Sequence, residues 1–179
     1  MLELVKKRRS IRKYKDIKIE KDKIEKLIEC ALLSPTSKNS MPWEFIIVDD
    51  KNILEELSKA KQAGGAFLKD AALAIVILGD PSKSNVWIED TAIATTVLHL
   101  ASEDMGLGSC WIQIRERNHD ENTKSEDFVR KVLNIPENIM VEAIVAIGYP
   151  DEVKAPHDEE TLKYEKVFLN GYNNKYYTK

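Results

Sequence analysis

A layered α+β (α/β) domain, with helices packed on a central sheet, is the fold this sequence predicts, and three observations carry it. Short apolar runs rich in β-formers alternate along the chain with segments of helical periodicity. A length of 179 residues is enough for one well-buried core and too short for two. The composition, 43% hydrophobic and 32% charged, is that of a globular protein, and no internal repeat or low-complexity linker divides the chain. Residues 1–179 are therefore expected to form one domain with short terminal extensions.

The elements follow in order. A first short helix is expected to end at Lys6 and Lys7, where cations meet the negative end of its dipole. From Ile24 the apolar positions Leu27, Ile28, Ala31 and Leu32 keep helical spacing until Pro35 stops them. "WEFIIVDD" (43–50), bounded by Pro42 and two aspartates, reads as a buried strand. "NILEELSKA" is an amphipathic helix, and "AALAIVILGD" (71–80) a second, deeper strand. Residues 86–105 predict a long helix with an apolar middle on nearly all sides, covered by its own core or by a partner subunit. "GLGSCWIQI" (106–114) is a glycine stop followed by a strand. "TKSE" (123–126) has the pattern of a capping box opening a helix through Leu133, with Pro136 beyond it. "IMVEAIVAIGYP" (139–150) is the last core strand. The closing tail carries Tyr164, Val167, Phe168, Leu169, Tyr172, Tyr176 and Tyr177, which need a surface to cover, either the partner's or that of its own domain.

Charge and composition exclude several classes. With 27 basic against 30 acidic residues, the chain lacks the broad positive face of a general nucleic-acid binder. Its positive charge is concentrated in "KKRRSIRKY" (6–14), which suits one phosphate-bearing ligand. No apolar run approaches the ~20 residues needed to span a bilayer, and no signal-like segment follows the first residues. The two cysteines, Cys30 and Cys110, are expected as reduced thiols of a cytoplasmic protein.

Within the basic stretch, Arg8, Arg9, Ser10 and Arg12 crowd a predicted turn, and arginines with a hydroxyl at that spacing can converge on a phosphate through forked, charge-assisted bonds. "SPTSKNSMPW" (34–43) is a polar loop braced by Pro35 and Pro42, able to present hydrogen-bonding groups to a polar heterocycle. "GLGSCW" fails as a dinucleotide fingerprint, because Trp111 replaces the third glycine and a helix, not a strand, precedes it. Gly106 is read as a helix stop and Gly108 as a point of close approach. His99, His119 and His157 form no metal pattern, and Cys110 reads as a small buried hydrophobe. No serine elbow or P-loop is present, so a cofactor is expected to do any chemistry.

Taken in order, "RRSIRKY", "SPTSKNSMPWEFIIV", the alanine-containing long helix with "GLGSCWI", and "IVAIGYP" resemble the nitroreductase family over about residues 2 to 150. The resemblance implies a central mixed sheet flanked by helices in an interlocked homodimer, with FMN at the subunit interface and NADH or NADPH as co-substrate. It implies two-electron transfer to nitroaromatics, quinones or similar acceptors by a ping-pong mechanism. By the same resemblance, Arg8, Arg9, Ser10 and Arg12 grip the FMN phosphate and pyrimidine edge, with Arg12 stabilising the negative charge of the reduced ring. Pro35, Thr36, Ser37 and Asn39 reach the ring and ribityl chain from the second subunit. Trp111, Ile112, Gln113 and Ile114 lie where the family offers a backbone N–H toward flavin N5. Beyond "GYP" the family's usual basic pair is replaced, and Lys154 is the expected cation ahead of His157 and Lys163. The asparagine and lysine of larger members have no counterpart between Gly64 and Lys69. The competing reading is a flavin-handling protein without NAD(P)H turnover. For the arm from about 160 to 179, embracing the partner and packing back on its own domain remain the two expectations.

Overall fold

The computed structural model describes residues 1–177. Its centre is a four-stranded sheet in the order β1-β2-β4-β3, built from β1 (Trp43–Val48), β2 (Leu73–Gly79), β3 (Gly108–Gln113) and β4 (Met140–Gly148). All three strand pairings are antiparallel, and the one parallel pairing is an isolated bridge between Ser10 and Ser109 beside β3. The mixed character expected of the sheet is thus confined, within one chain, to that bridge.

The two inner strands explain the unbroken apolar runs in the sequence. Every residue of β2 is buried, as is all of β4 beyond its first residue, because both faces of the sheet are covered. On one face α2 (Lys21–Leu32) and α4 (Trp87–Asp104) pack Leu27, Ala31 and Leu98 against Leu73, Ile75, Ile77, Val145 and Ile147. On the other, α3 (Lys51–Leu57) and α5 (Ser125–Leu133) pack Leu54, Leu57 and Val129 against Val76, Ile144 and Ala146. The short α1 (Leu2–Lys7) buries none of its residues, and Lys7 pairs with Glu103 near the C-terminal end of α4 at 3.6 Å. Among the described residues no helix is long and apolar enough to cross a membrane.

Strand and helix limits agree with the sequence reading to within a few residues, since they are set by local signals. Gly106, at φ +74°, ends α4, and the Asp50 side chain caps α3 by accepting from the N–H groups of Asn52 and Ile53. The capping box is a correction. Helix α5 begins at Ser125 with Lys124 in the cap position and no side-chain cap. Glu126, the residue expected to close the box, accepts instead from the Val141 N–H at 3.2 Å and from Arg130 at 3.5 Å, so the carboxylate ties the helix to β4.

The long helix is covered on most sides only in part within the chain: Thr91, Ala94, Thr95, Leu98 and Ser102 are buried, whereas Ile93 is 41% exposed. The C-terminal arm folds on itself as a small hairpin, with Phe168 bridged to Lys175 and the Phe168 and Tyr172 rings 4.9 Å apart. It leaves Val167, Leu169 and Tyr172 exposed, and its last two positions, Thr178 and Lys179, lie outside the described residues.

Candidate functional site

The basic N-terminal stretch is not a turn. Residues 10–15 run extended across the ends of β3 and β4 and are zipped there by backbone bonds: Ile11 N–H to the Ser109 carbonyl (3.0 Å), Lys15 N–H to Tyr149 (2.9 Å), and Asp151 N–H to Lys13 (2.9 Å). These partners are about 100 or more residues away in sequence, so no local pattern announces them. Two glycines that face each other across β3 and β4 let the strap approach. A Cβ on Gly108 would meet Ile11 at 2.7 Å, and one on Gly148 would meet Tyr14 at 2.8 Å. The Tyr14 hydroxyl donates to the Ile11 carbonyl at 2.5 Å, and burial pushes its pKa far up, which keeps it a neutral donor. Gly108→Ala is therefore expected to destabilise the fold by about 1–3 kcal/mol through overpacking. Urea unfolding checks it; a midpoint equal to wild type would mean that the strap does not press on Gly108.

The strap delivers its polar side chains to one place, where a returning segment meets them. Lys154 donates to the Ser10 carbonyl at 2.7 Å, and Glu152 accepts from the N–H groups of Arg12 (2.6 Å) and Lys13 (3.2 Å). Those bonds hold the Glu152 carboxyl below the usual carboxylate range. Arg8, Ser10, Arg12 and Lys154 all act to draw the pKa of the Cys110 thiol down. Burial nonetheless pushes that thiol up, and it stays protonated as the small hydrophobe expected. Arg8 is half-buried; its backbone N–H bonds to the Leu4 carbonyl at 2.9 Å, but its guanidinium has no hydrogen bond or ion pair with any described residue. Arg9 is engaged elsewhere, donating to the Ala155 carbonyl. Neither His157 nor Lys163 makes a side-chain bond to this cluster; His157 is held by its backbone N–H on the Lys6 carbonyl at 2.9 Å.

Along β3 a second group of side chains continues from the first. Buried His99 of α4 shares a hydrogen bond with the Ser109 hydroxyl (2.7 Å), and its ring lies 6.4 Å from that of Trp111. Burial first, and the Arg8 charge second, hold its pKa down at about 4, so the imidazole is neutral near pH 7. The Trp111 indole N–H donates to Gln113 (2.8 Å), whose amide donates to buried Glu142 (3.3 Å), which also accepts from Arg115 (2.8 Å). This chain fixes Trp111 and Gln113 beside the buried Ile112 and Ile114. As β3 is an edge strand, no further strand pairs with its outer side beyond the Ser10 bridge among the described residues, and the Trp111 carbonyl there accepts weakly from the Cys110 thiol at 3.6 Å.

The polar loop lies apart. Buried Asp90 in the first turn of α4 accepts from the Ser37 N–H at 2.9 Å and from the hydroxyls of Ser84 (3.3 Å) and Ser40 (3.5 Å). The Thr36 hydroxyl accepts from the Met41 N–H, and Lys38, Asn39 and Met41 all take positive φ, so Pro35, Thr36, Ser37 and Asn39 sit on a tightly folded turn. Asp90 and His99 are separated by about 13 Å along the helix axis at ~1.5 Å per residue. Within one chain the loop and the cationic cluster thus stand toward opposite ends of α4. The sequence reading placed His99 outside any metal pattern without seeing its buried place here, and it missed Glu152, Asp90 and Phe67, whose ring lies under the Arg12 guanidinium at 5.8 Å. Their roles rest on long-range contacts that no motif encodes.

An unpaired half-buried arginine, two further cations and an uncharged imidazole make a cradle for an anion such as a phosphate ester. The nitroreductase family model matches residues 5–149. A solved FMN-dependent nitroreductase of Clostridium difficile R20291 superimposes with a TM-score of 0.95 at 48% identity, covering 96% of this chain and all (100%) of that one. A nitroreductase family protein of Clostridium difficile 630 matches with a TM-score of 0.75 at 30% identity, over 97% and 98% of the two chains. A protein of Archaeoglobus fulgidus, provisionally named NADH dehydrogenase/NAD(P)H nitroreductase, is 38% identical over 157 residues, 86% of this chain and 87% of its own.

Proposed function

The chain belongs to the nitroreductase family of oxidoreductases, and from that premise we propose that it is an NAD(P)H-linked flavoenzyme holding FMN in the cradle around Ser10. Held by Arg8, Ser10, Arg12 and Lys154, FMN would supply the two-electron chemistry between NAD(P)H and a nitroaromatic, quinone or similar acceptor. Donor and acceptor use one site in turn, which gives ping-pong kinetics. The observation that carries this reading is the unpaired Arg8 beside Ser10, Arg12 and Lys154, a set whose charge calls for a phosphate. Arg9 completes the basic stretch behind them. Arg12 would place its charge at the pyrimidine edge, stabilising the negative charge that accumulates on reduction. Trp111, Ile112 and Gln113 would flank the ring, with free backbone N–H groups on the outer edge of β3 to donate to it.

The loop bearing Pro35, Thr36, Ser37 and Asn39 supports a homodimer with FMN between subunits. Two copies of α4 packed antiparallel about the exposed Ile93 would bring one subunit's loop to the other's cationic cluster. In this reading residues 1–179 form one domain, and the arm from about 160 covers its exposed Val167, Leu169 and Tyr172 on the partner. The alternative of flavin handling without turnover rested on a shortage of cations after Pro150, and Lys154 on the Ser10 carbonyl makes up part of it.

The test is a visible absorption spectrum of the purified protein, before and after anaerobic NADH and NADPH. A yellow protein bleached by either nicotinamide supports the reading and identifies the donor. A yellow protein bleached by neither overturns NAD(P)H turnover, and a colourless one that rejects added FMN overturns the cofactor assignment.

A further inference from the structure

We propose that Phe67 is a positioning residue for Arg12: its ring holds the guanidinium at the flavin's pyrimidine edge, and so sets how strongly the protein prefers the reduced cofactor. The inference rests on the FMN reading above and goes beyond it to a residue outside the basic stretch.

Three observations place Phe67 in this role. The Arg12 guanidinium lies over the Phe67 ring, 5.8 Å from its centroid. Its polar anchorage is slight: among the described residues Nη1 reaches only the Ser10 carbonyl, at 3.5 Å, and the residue is otherwise exposed. The Arg12 backbone, by contrast, is fixed by the 2.6 Å bond from its N–H to Glu152. The main chain is thus held from one side, and the ring is what limits the long, flexible side chain.

Phe67 can do this because its own place is rigid. It belongs to a short 3₁₀ turn, Ala66–Asp70, anchored by fully buried Leu68, whose N–H bonds to the Gly65 carbonyl at 3.0 Å. Phe67 itself packs against the core on the α3 and α5 face of the sheet. Upstream, Gly64 takes φ +78°, and the Gln62 N–H bonds to the Asn118 carbonyl at 3.2 Å, closing the loop onto the body. Arg12 also borders an open cavity of about 450 Å³ lined in addition by Lys13, Tyr14, Lys69, Asp70 and Asp151, so a charge without the ring has room to swing away from a ligand. A fixed cation stabilises an anion more than a mobile one, since no ordering cost is left to meet when the charge develops. That benefit falls on the reduced, negatively charged cofactor more than on the oxidised, neutral ring.

The experiment compares wild type, Phe67→Leu and Phe67→Tyr. Leucine keeps an apolar contact with the core and removes the ring; tyrosine restores the ring. The dissociation constant of FMN is measured in the oxidised state, and the two-electron potential of bound FMN by redox titration. Phe67→Leu is expected to shift the ratio of oxidised to reduced binding constants against the reduced form three- to tenfold; tenfold corresponds to a potential about 30 mV lower. Phe67→Tyr is expected to stay within twofold of wild type. In the apoprotein, the Arg12 Nε–H resonance is expected to carry a ring-current displacement that Phe67→Leu abolishes. An unchanged ratio in Phe67→Leu, or an Arg12 signal indifferent to the ring, overturns the role of Phe67 while leaving the FMN reading intact. A wild-type protein that binds no FMN, with the Arg12 displacement present, overturns that reading and with it the redox role, leaving a purely structural stacking contact.

Discussion

Replacing Arg8 with alanine is expected to weaken FMN binding by about 10- to 100-fold, the loss of a charge-assisted bond of roughly 1.5–3 kcal/mol, without making the apoprotein less stable. The two halves of this expectation come from one fact. The Arg8 guanidinium, half-buried, has no hydrogen bond or ion pair within the described chain, and its backbone bond to Leu4 survives in alanine, so truncation breaks no polar contact. Its charge acts on the same buried thiol, Cys110, as those of Arg12 and Lys154, and of these Lys154 already pairs with Glu152 at 3.5 Å, so a phosphate would give Arg8 the partner it lacks. Lys7→Ala serves as the control: Lys7 is 70% exposed and pairs with Glu103, and its loss is expected to change FMN affinity less than about twofold, since screened surface charges contribute little. Flavin fluorescence titration and urea unfolding of the apoprotein measure both halves. Unchanged FMN affinity in Arg8→Ala would place the phosphate elsewhere. A large drop in apoprotein stability would mean that Arg8 has a structural partner after all.

What could be read in the sequence was what local chemistry determines. Strands β2 and β4 announce themselves because both their faces are buried, so apolar residues run on without alternation. The end of α4 is legible in Gly106 because a left-handed φ there favours glycine. The tight spot at Gly108 follows from its lack of a side chain, although Ile11 as the neighbour does not. Misreadings arose where a distant group took over a local role. Glu126 has the spacing of a capping residue, yet the Val141 N–H of β4 claims it. The stretch around Ser10 has the polarity of a turn, but Ser109, Tyr149 and Glu152 hold it extended. The same division runs through the candidate site. Arg8, Ser10, Arg12 and Lys154 could be nominated by residue type, and the structure brings them together. Phe67, Asp90 and His99 act through stacking or burial against residues far off in sequence, and types alone make each of them ordinary.

His99 is expected to make the apoprotein's stability fall by about 3 kcal/mol between pH 7 and pH 4, at ~1.36 kcal/mol per unit of pKa difference, and His99→Asn is expected to abolish that part of the fall. The imidazole is buried between the Ser109 hydroxyl at 2.7 Å, the Trp111 ring at 6.4 Å, and the charge of Arg8. Burial and Arg8 both disfavour its protonation, so its pKa in the folded protein, about 4, lies below the ordinary 6.5 of the unfolded chain. Between those values the unfolded state binds a proton that the folded state refuses, and stability therefore drops as pH falls. Above pH 6.5 the contribution is fully present, and below about pH 4 both states are protonated and nothing more is lost. Carboxylates held low by their partners, Glu152 and Asp80 among them, also weaken the fold in acid. They are common to wild type and variant, so the difference between the two proteins isolates the imidazole. Asparagine can keep a polar contact with Ser109 without a titrating group. Because Arg8 contributes to the depression, Arg8→Ala is expected to raise the pKa of His99 and flatten the wild-type slope in part. Urea unfolding of the three proteins at pH 7, 5.5 and 4.5 measures it. Parallel slopes in wild type and His99→Asn would mean that water reaches the imidazole in the folded protein, and that the pocket beside Ser109 is not dry.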